Sequence, residues 1–338
     1  MDRDIKLTII IPVYNLEDYI LFCLDSIVNQ IEEKVEVIII NDGSTDKTGE
    51  ICCKYAKKYK YIKYFYQKNA GVSSARNMGI KKACGEYIWF IDGDDWILEE
   101  SIKMILKEIE ENNNIEIFLG DFIKSFNKKT KVRSNLKKEN LKKYNNSIEY
   151  PQNYINLFKY DLCNLSLWCN IIKKDLFFLN NIKFDISVKH TEDLDCMLEL
   201  LLSTSKVKLL TNPIYVYRQG RKNSATTNYT AKRVNDIMNF VIKWYDKINN
   251  NIANDELKEY LLDFVRYQYF IALGTLTIIP EEEQKEFINE LLRYKFLFET
   301  AYGQKQKIIK KIYNFFGFNI TSKLMGIWIK NKNKIGRK

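Results

Sequence analysis

The chain has 338 residues, 46% of them hydrophobic and 28% charged, which is enough to bury a sizeable core and excludes a disordered chain. No apolar run is long enough to cross a bilayer, the N-terminus has no signal-peptide pattern, and a single histidine excludes a multi-histidine zinc site. The net charge of +10 is local: residues 1–300 carry 43 basic and 43 acidic side chains, whereas residues 301–338 hold ten Lys and Arg and no acid. Seven cysteines (Cys23, Cys52, Cys53, Cys84, Cys163, Cys169 and Cys196), an odd number without CxxC spacing, point to buried thiols in a reducing cytoplasmic compartment.

In chain order, Leu7–Ile11 is an apolar run stopped by Pro12, and Ile20, Leu24, Ile27, Val28 and Ile31 then recur with helical spacing. Val35–Ile40 is a second strand run with one charge at Glu36, and Ser44 or Thr45 is placed to cap the helix that follows. Ile62–Tyr66 reads as a strand, Val72–Ala83 as a helix and Tyr87–Ile91 as a strand. Ile97–Ile109 reads as an amphipathic helix and Ile115–Leu119 as a strand. Residues 124–165, rich in Lys, Asn and Tyr, read as an excursion from the sheet with some helix. Helical periodicity returns at Leu194–Leu202, and Val207–Val216 is extended with Pro213 favouring an edge or bulge. Amphipathic segments near 233–249, 256–273 and 281–297 follow, with 221–232 as the expected boundary.

Continuous β-branched runs between helices imply a mostly parallel sheet covered on both faces, an α/β fold with a helical C-terminal region. In such sheets ligands sit beyond the C-terminal strand ends. Three polar clusters, Pro12–Asn15, Asn41–Asp46 and Asp92–Asp95, follow strands at that edge. Neither a GxGxxG turn after the first strand nor a GxxxxGK[ST] loop occurs, so an NAD enzyme and a P-loop NTPase are not indicated.

Asp92, Gly93, Asp94 and Asp95 place three carboxylates at one strand end, where a divalent cation would offset their repulsion; hard oxygen donors suit Mg²⁺ or Mn²⁺. The alternative is a polar turn. Asp42, beside Gly43, can accept from a base edge or sugar hydroxyl, or close an Asx-turn. Residues 69–77 run into a helix of small residues whose free N–H groups attract anions, with Arg76 one turn in, facing a phosphate or an acidic residue. His190 precedes Glu192 and Asp193 at another helix start, where one carboxylate could act as a general base and the other pair with structure. Arg218 could neutralise a departing diphosphate, or be an ordinary surface arginine.

These residues together resemble the inverting family 2 glycosyltransferases of GT-A fold, particularly bacterial capsule, lipooligosaccharide and cell-wall sugar transferases. The resemblance covers roughly residues 5–225 and rests on Ile10–Asn15, Asn41–Asp46, Asn69–Gly79, Asp92–Asp95 and Glu192-Asp193, with looser matches at Trp168–Asn170 and Tyr215–Arg218. It implies a UDP-sugar donor and a Mn²⁺ or Mg²⁺ ion. Pro12, Val13, Tyr14 and Asn15 would floor the nucleotide site, Asp42 would bind the base, and Gly71, Arg76, Asp92, Gly93, His190 and Arg218 would border the donor. Asp94 and the neighbouring Asp95 are the metal candidates. Asp193 would be the base, with Glu192 as helper or acceptor ligand and Trp168 lining the acceptor side.

The expected organisation is a catalytic domain at 1–225, a helical accessory region at 226–300 and a basic amphipathic tail at 301–338. In the tail, Lys305, Lys307, Lys310 and Lys311 alternate with Ile308, Ile309, Ile312, Phe315 and Phe316, a pattern suited to an anionic membrane surface and a lipid-linked acceptor. A helix docked on the protein is the alternative. Two other readings remain: a metal-dependent sugar-phosphate nucleotidyltransferase, and a non-enzymatic basic protein that binds membrane or RNA. Charge neutrality over 1–300 argues against a specific nucleic-acid partner. The sugar, the linkage and the acceptor stay open, as does whether the apolar helices of 233–297 pack on the core or on a second subunit.

Overall fold

The computed structural model describes residues 4–126, 130–133, 148–149, 154–159, 164–221, 229–300 and 304–335. Most of the expected excursion at 124–165, part of the boundary at 221–232, Cys163, and Arg337 and Lys338 of the tail lie outside the described residues. The chain forms two compact units, Met1–Gln219 and Gly220–Lys338.

In the first unit, β1 (Leu7–Val13), β2 (Val35–Asn41), β3 (Ile62–Tyr66) and β4 (Tyr87–Phe90) pair in parallel in the order β3-β2-β1-β4. The sheet continues through β9 (Asn170–Lys173), which runs antiparallel, to β6 (Ile117–Phe126) and β10 (Lys206–Gln219). Two reversals restore the direction, so six strands of this path point one way and share one C-terminal edge. The short β5 (Trp96–Ile97) closes the order, and β7 (Thr130–Arg133) and β8 (Ile148–Glu149) pair at its margins.

Residues Val35–Asn41 are buried throughout because both faces are covered, which explains the unbroken apolar run. One face packs on α1 (Ile20–Val28) through Ile20, Cys23, Leu24 and Ile27, and on α4 (Ser101–Glu111) through Ile102, Ile105, Leu106 and Ile109. On the other, Ala75 of α3 (Val72–Lys82) meets Ile38 and Ile40. The one charge in β2, Glu36, is satisfied by Thr8 Oγ1, Lys63 Nζ and the Cys84 N–H.

Four local expectations are corrected. Pro12 does not stop the first strand. Ile10 presents its carbonyl to β4 by accepting the Ile91 N–H, so the Pro12 nitrogen two residues on also faces that side, beyond the end of β4, where no ladder bond is lost. Ser44 and Thr45 do not cap α2 (Thr48–Lys58); Asp46 Oδ1 accepts the Thr48 N–H instead, at 3.0 Å. Trp96 and Ile97 form a strand with β10, and the helix expected from Ile97 begins at Ser101. The sixth strand runs on to Phe126 and turns back into β7, so the departure from the sheet falls later than residue 124. Near Pro213, β10 carries the expected register shifts.

The second unit comprises α8 (Ala231–Asn251), α9 (Asp255–Leu276), α10 (Glu281–Arg293), a 3₁₀ turn at Lys295–Phe298 and α11 (Gln304–Ile335), broken at Gly317. The preceding short helices are α5 (Ile155–Lys159), α6 (Asp175–Leu179) and α7 (Glu192–Ser203). Side-chain caps start two of the long helices: Thr230 Oγ1 accepts the Arg233 N–H and Asn254 Oδ1 the Leu257 N–H. No helix among the described residues is long and apolar enough to cross a membrane.

Candidate active site

Asp42 follows β2 and is almost fully buried. Its Oδ1 accepts from Gln67 Nε2 at 2.7 Å and the Ala70 N–H at 2.8 Å, and its Oδ2 from the Gly71 N–H at 2.9 Å. The carboxylate thus ties the β2 turn to the segment entering α3, and three of its roughly four lone-pair directions are used. Gly71, at φ +90°, sits where the helix begins, and a Cβ added there would meet nothing within 4 Å. Gly43 completes the clamp at φ +75°, and a Cβ on it would lie 2.7 Å from the Asn69 nitrogen. Gly43→Ala should therefore cost about 1–3 kcal/mol, read as a lowered thermal midpoint, because the obstacle is backbone and the turn is left-handed.

Beside this clamp, Asn15 Oδ1 accepts the Thr45 N–H at 2.8 Å, while the Asn15 N–H donates to Ser44 Oγ at 3.1 Å. Pro12 and Val13 lie buried at the end of β1, whereas Tyr14 and Asn15 are exposed beyond it.

Arg76, buried on α3, is the joint of the site. Its Nη1 donates to Glu192 Oε1 at 3.0 Å and its Nη2 to Asp92 Oδ1 at 3.3 Å, with Phe184 against the guanidinium at 5.4 Å. One forked cation, 116 residues from Glu192 in sequence, thereby joins the end of β4 to the start of α7. Burial pushes the Asp92 carboxyl up against the pull of Arg76, and the charges of Asp94 and Asp193 push the same way. Burial, and then the charge of Asp193, raise Glu192 from 4.5 to about 7, with Arg76 opposing. Two buried atoms on α3, Ser73 Oγ and Arg76 Nε, have no hydrogen-bond partner among the described residues, where buried groups almost always have one.

Asp193 is half-buried in the first turn of α7, and its Oδ1 accepts the Leu194 N–H at 2.8 Å. The residue before the pair, Thr191, has φ +73°, a left-handed backbone that a β-branched residue adopts only under strain. His190 precedes it, half-buried.

The acidic motif divides in two. Asp92 and Asp94 are half-buried at the rim, whereas Asp95 is 1% exposed. Asp95 Oδ2 accepts from the Tyr215 hydroxyl and its Oδ1 from the Arg218 N–H, both at 2.7 Å. Burial raises the Asp95 carboxyl well above its usual range. Gly93 faces inward too: a Cβ there would lie 2.8 Å from Leu16 Cδ1 and 3.1 Å from Val13 Cγ1. Gly93, expected to border the donor, packs against Leu16 and Val13, and Asp95, a metal candidate, anchors β10 through Tyr215 and Arg218. Among the described residues no three His, Cys, Asp or Glu side chains form a metal cage of their own. Asp92 and Asp94 are hard oxygen donors of the kind that share Mg²⁺ or Mn²⁺ with phosphate and water, so the donor set fits such an ion.

Arg218 is held by its contacts. Its Nε donates to the Asp94 carbonyl at 2.5 Å, and its guanidinium lies 4.7 Å from the Trp96 ring and 5.2 Å from Tyr19. Trp168 stacks on Tyr215 and Tyr217 at 4.5 and 5.2 Å and meets Phe122 edge-on at 4.7 Å. Sequence reading missed Gln67, Phe122 and Phe184, as well as the role of Tyr215, whose hydroxyl accepts the Asp92 N–H and donates to Asp95. For Phe122 and Tyr215 the strand pattern held a weak signal; for Gln67 and Phe184, in loops, it held none.

The family model for glycosyl transferase family 2 matches residues 8–177. The chain is 35% identical over 234 residues to glycosyltransferase GlyA of Streptococcus pneumoniae serotype 4, covering 68% of this chain and 32% of that protein. It is 33% identical over 213 residues to the uncharacterized glycosyltransferase EpsJ of Bacillus subtilis, covering 63% of this chain and 60% of the relative. The chain therefore spans about a third and three fifths of these two relatives. Among solved structures, S. aureus TarS 1-349 in complex with UDP-GlcNAc superposes with a TM-score of 0.73 at 20% identity, over 97% of this chain and 92% of that one. That likeness bears on the fold, and it agrees with the GT-A arrangement expected from the motifs. With the family model spanning half of its residues, the chain belongs to glycosyl transferase family 2.

Proposed function

We propose that the chain is an inverting glycosyltransferase that moves a hexose or N-acetylhexosamine from a UDP-sugar to a saccharide or lipid-linked saccharide in surface polysaccharide synthesis. We place this work at the cytoplasmic face of the cell membrane. The observation that carries the reading is the Arg76 fork, which joins Asp92 at the donor rim to Glu192, next to Asp193. The UDP-GlcNAc named with TarS supports the choice of donor.

In this reading Asp94, with Asp92 beside it, holds Mn²⁺ or Mg²⁺, which when bound offsets charge on the departing diphosphate. The α3 N-terminus, open in front of Gly71, faces phosphate oxygens with its N–H groups. Asp42 keeps that N-terminus in register and offers its remaining lone pair to the base. Asp193 accepts the proton of the attacking acceptor hydroxyl as the new bond forms on the face opposite the leaving group. Arg76 positions both carboxylate motifs and keeps their mutual repulsion in check. Glu192 supports Asp193 and borders the acceptor, with Trp168 and its stacked tyrosines behind it.

A panel of UDP-, GDP- and dTDP-sugars with Mn²⁺ and Mg²⁺, scored for release of nucleoside diphosphate, tests the reading. Turnover of a UDP-sugar supports it; pyrophosphate release from a nucleoside triphosphate and a sugar phosphate, with no turnover of any sugar donor, identifies a nucleotidyltransferase instead. Asp94→Asn should weaken metal-dependent donor binding about tenfold or more, and an unchanged metal titration would remove Asp94 as a ligand.

A further inference from the structure

The broken C-terminal helix α11 buries one apolar face and exposes another. In its second half, Thr321, Ser322, Met325 and Ile329 are buried, a repeat of one helical stripe. That stripe packs on α9 at close range: a Cβ on Gly274 would lie 2.9 Å from the Met325 carbonyl carbon, and one on Gly326 would lie 3.1 Å from the Gly274 oxygen. Across the break, Tyr313 stacks flat on Phe298 at 4.1 Å, and Lys310 Nζ donates to the Glu299 carbonyl at 2.6 Å. The helix is therefore docked within its own unit through these residues, while other apolar side chains on it are exposed.

Ile320, Leu324, Ile327 and Trp328 recur at i, i+4, i+7 and i+8 and are 40–56% exposed. At the break, where Gly317 has φ +72°, Phe315 is 81% and Phe316 48% exposed. Lys311, Lys323 and Lys330 are exposed among them. A second copy of this chain would set this lysine-bearing strip against its own like charges, with no acid anywhere in 301–338 to offset them. RNA would be served by the lysines but gains nothing from exposed isoleucine and leucine. An anionic lipid surface matches both, since headgroups take the charge and the acyl boundary takes the side chains.

We propose that the outward face of α11 is a docking surface for an anionic lipid monolayer. This deepens the reading above by supplying the place where a lipid-linked acceptor would be met, and it can fail independently, because donor turnover in free solution does not need it.

The full-length chain is sedimented with vesicles of phosphatidylcholine alone and with vesicles containing phosphatidylglycerol. Binding should favour the anionic vesicles and fall with added salt. Lys311→Gln, Lys323→Gln and Lys330→Gln should each lower partitioning about fivefold, the factor for one surface lysine. Leu324→Gln with Ile327→Gln should lower it at least tenfold on all vesicles, while donor hydrolysis without vesicles stays unchanged. Should that pair unfold the helix, Phe315→Ser at the break provides the same test. Equal partitioning of wild type and variants overturns the proposal. So does retention of an RNA oligonucleotide with no vesicle binding, or a concentration-dependent dimer abolished by the same variants.

Discussion

Asp193→Asn is expected to lower turnover by about 10²-fold or more while leaving donor affinity within about twofold. Asparagine has nearly the same shape and can still accept the Leu194 N–H that Asp193 Oδ1 accepts, so α7 should start unchanged. What it loses is the capacity to take a proton. The variant also removes a charge that raises Glu192 and Asp92, so both carboxyl groups should ionise at lower pH. Donor affinity is read by calorimetry and turnover by nucleoside diphosphate release. Near-normal turnover would transfer the role of base to another group.

Arg76→Met has the largest expected effect on stability. The side chain keeps its length but leaves Asp92 and Glu192 without the cation they share, the side chain of Glu192 being only 11% exposed. Breaking a buried ion pair by removing one partner costs about 3–5 kcal/mol, a fall in thermal midpoint on the order of 10 °C for a domain of this size. Arg76→Lys should not restore activity, because one ammonium cannot span both carboxylates with the arginine's fixed fork. Glu192→Gln on the Arg76→Met background should return part of the loss. A pH series adds an independent check. The Glu192 carboxyl sits near 7 in the fold against an ordinary 4.5, so the native state holds a proton that the unfolded chain gives up. The stability this group contributes is present below 4.5 and lost as pH rises through about 7. Glu192→Gln should flatten that slope; a slope unchanged in the variant would show that another group titrates there.

The strands were legible because burial on both faces leaves an unbroken β-branched run, as in Val35–Asn41, and the helices because one apolar stripe recurs, as in α1. Side-chain competition was less legible. Ser44, Thr45 and Asp46 all have side-chain oxygens suited to a helix start, but Ser44 Oγ accepts the Asn15 N–H from 29 residues earlier, and Asp46 Oδ1 takes the Thr48 N–H. The acidic cluster shows the same limit. Asp92, Asp94 and Asp95 look equivalent in sequence, and only the arrival of Tyr215 and Arg218 from β10 separates the buried anchor from the two rim carboxylates. Arg76 was visible as a cation facing acid or phosphate, but its pairing with Glu192 joins segments whose contact no local pattern encodes. In the tail, the sequence pattern showed apolar residues among lysines, and only the close approach of Gly274 to Met325 and Gly326 separates the docked Met325 and Ile329 from the exposed Leu324 and Ile327.

We propose that one rim of the sheet holds a sugar donor between Asp94 and Asp193. A crystal structure of the chain with a UDP-sugar and Mn²⁺ tests it most directly. The diphosphate should lie against Asp94 and the N-terminus of α3, with the anomeric carbon on the Asp193 side. A donor seated away from both carboxylates would contradict the account.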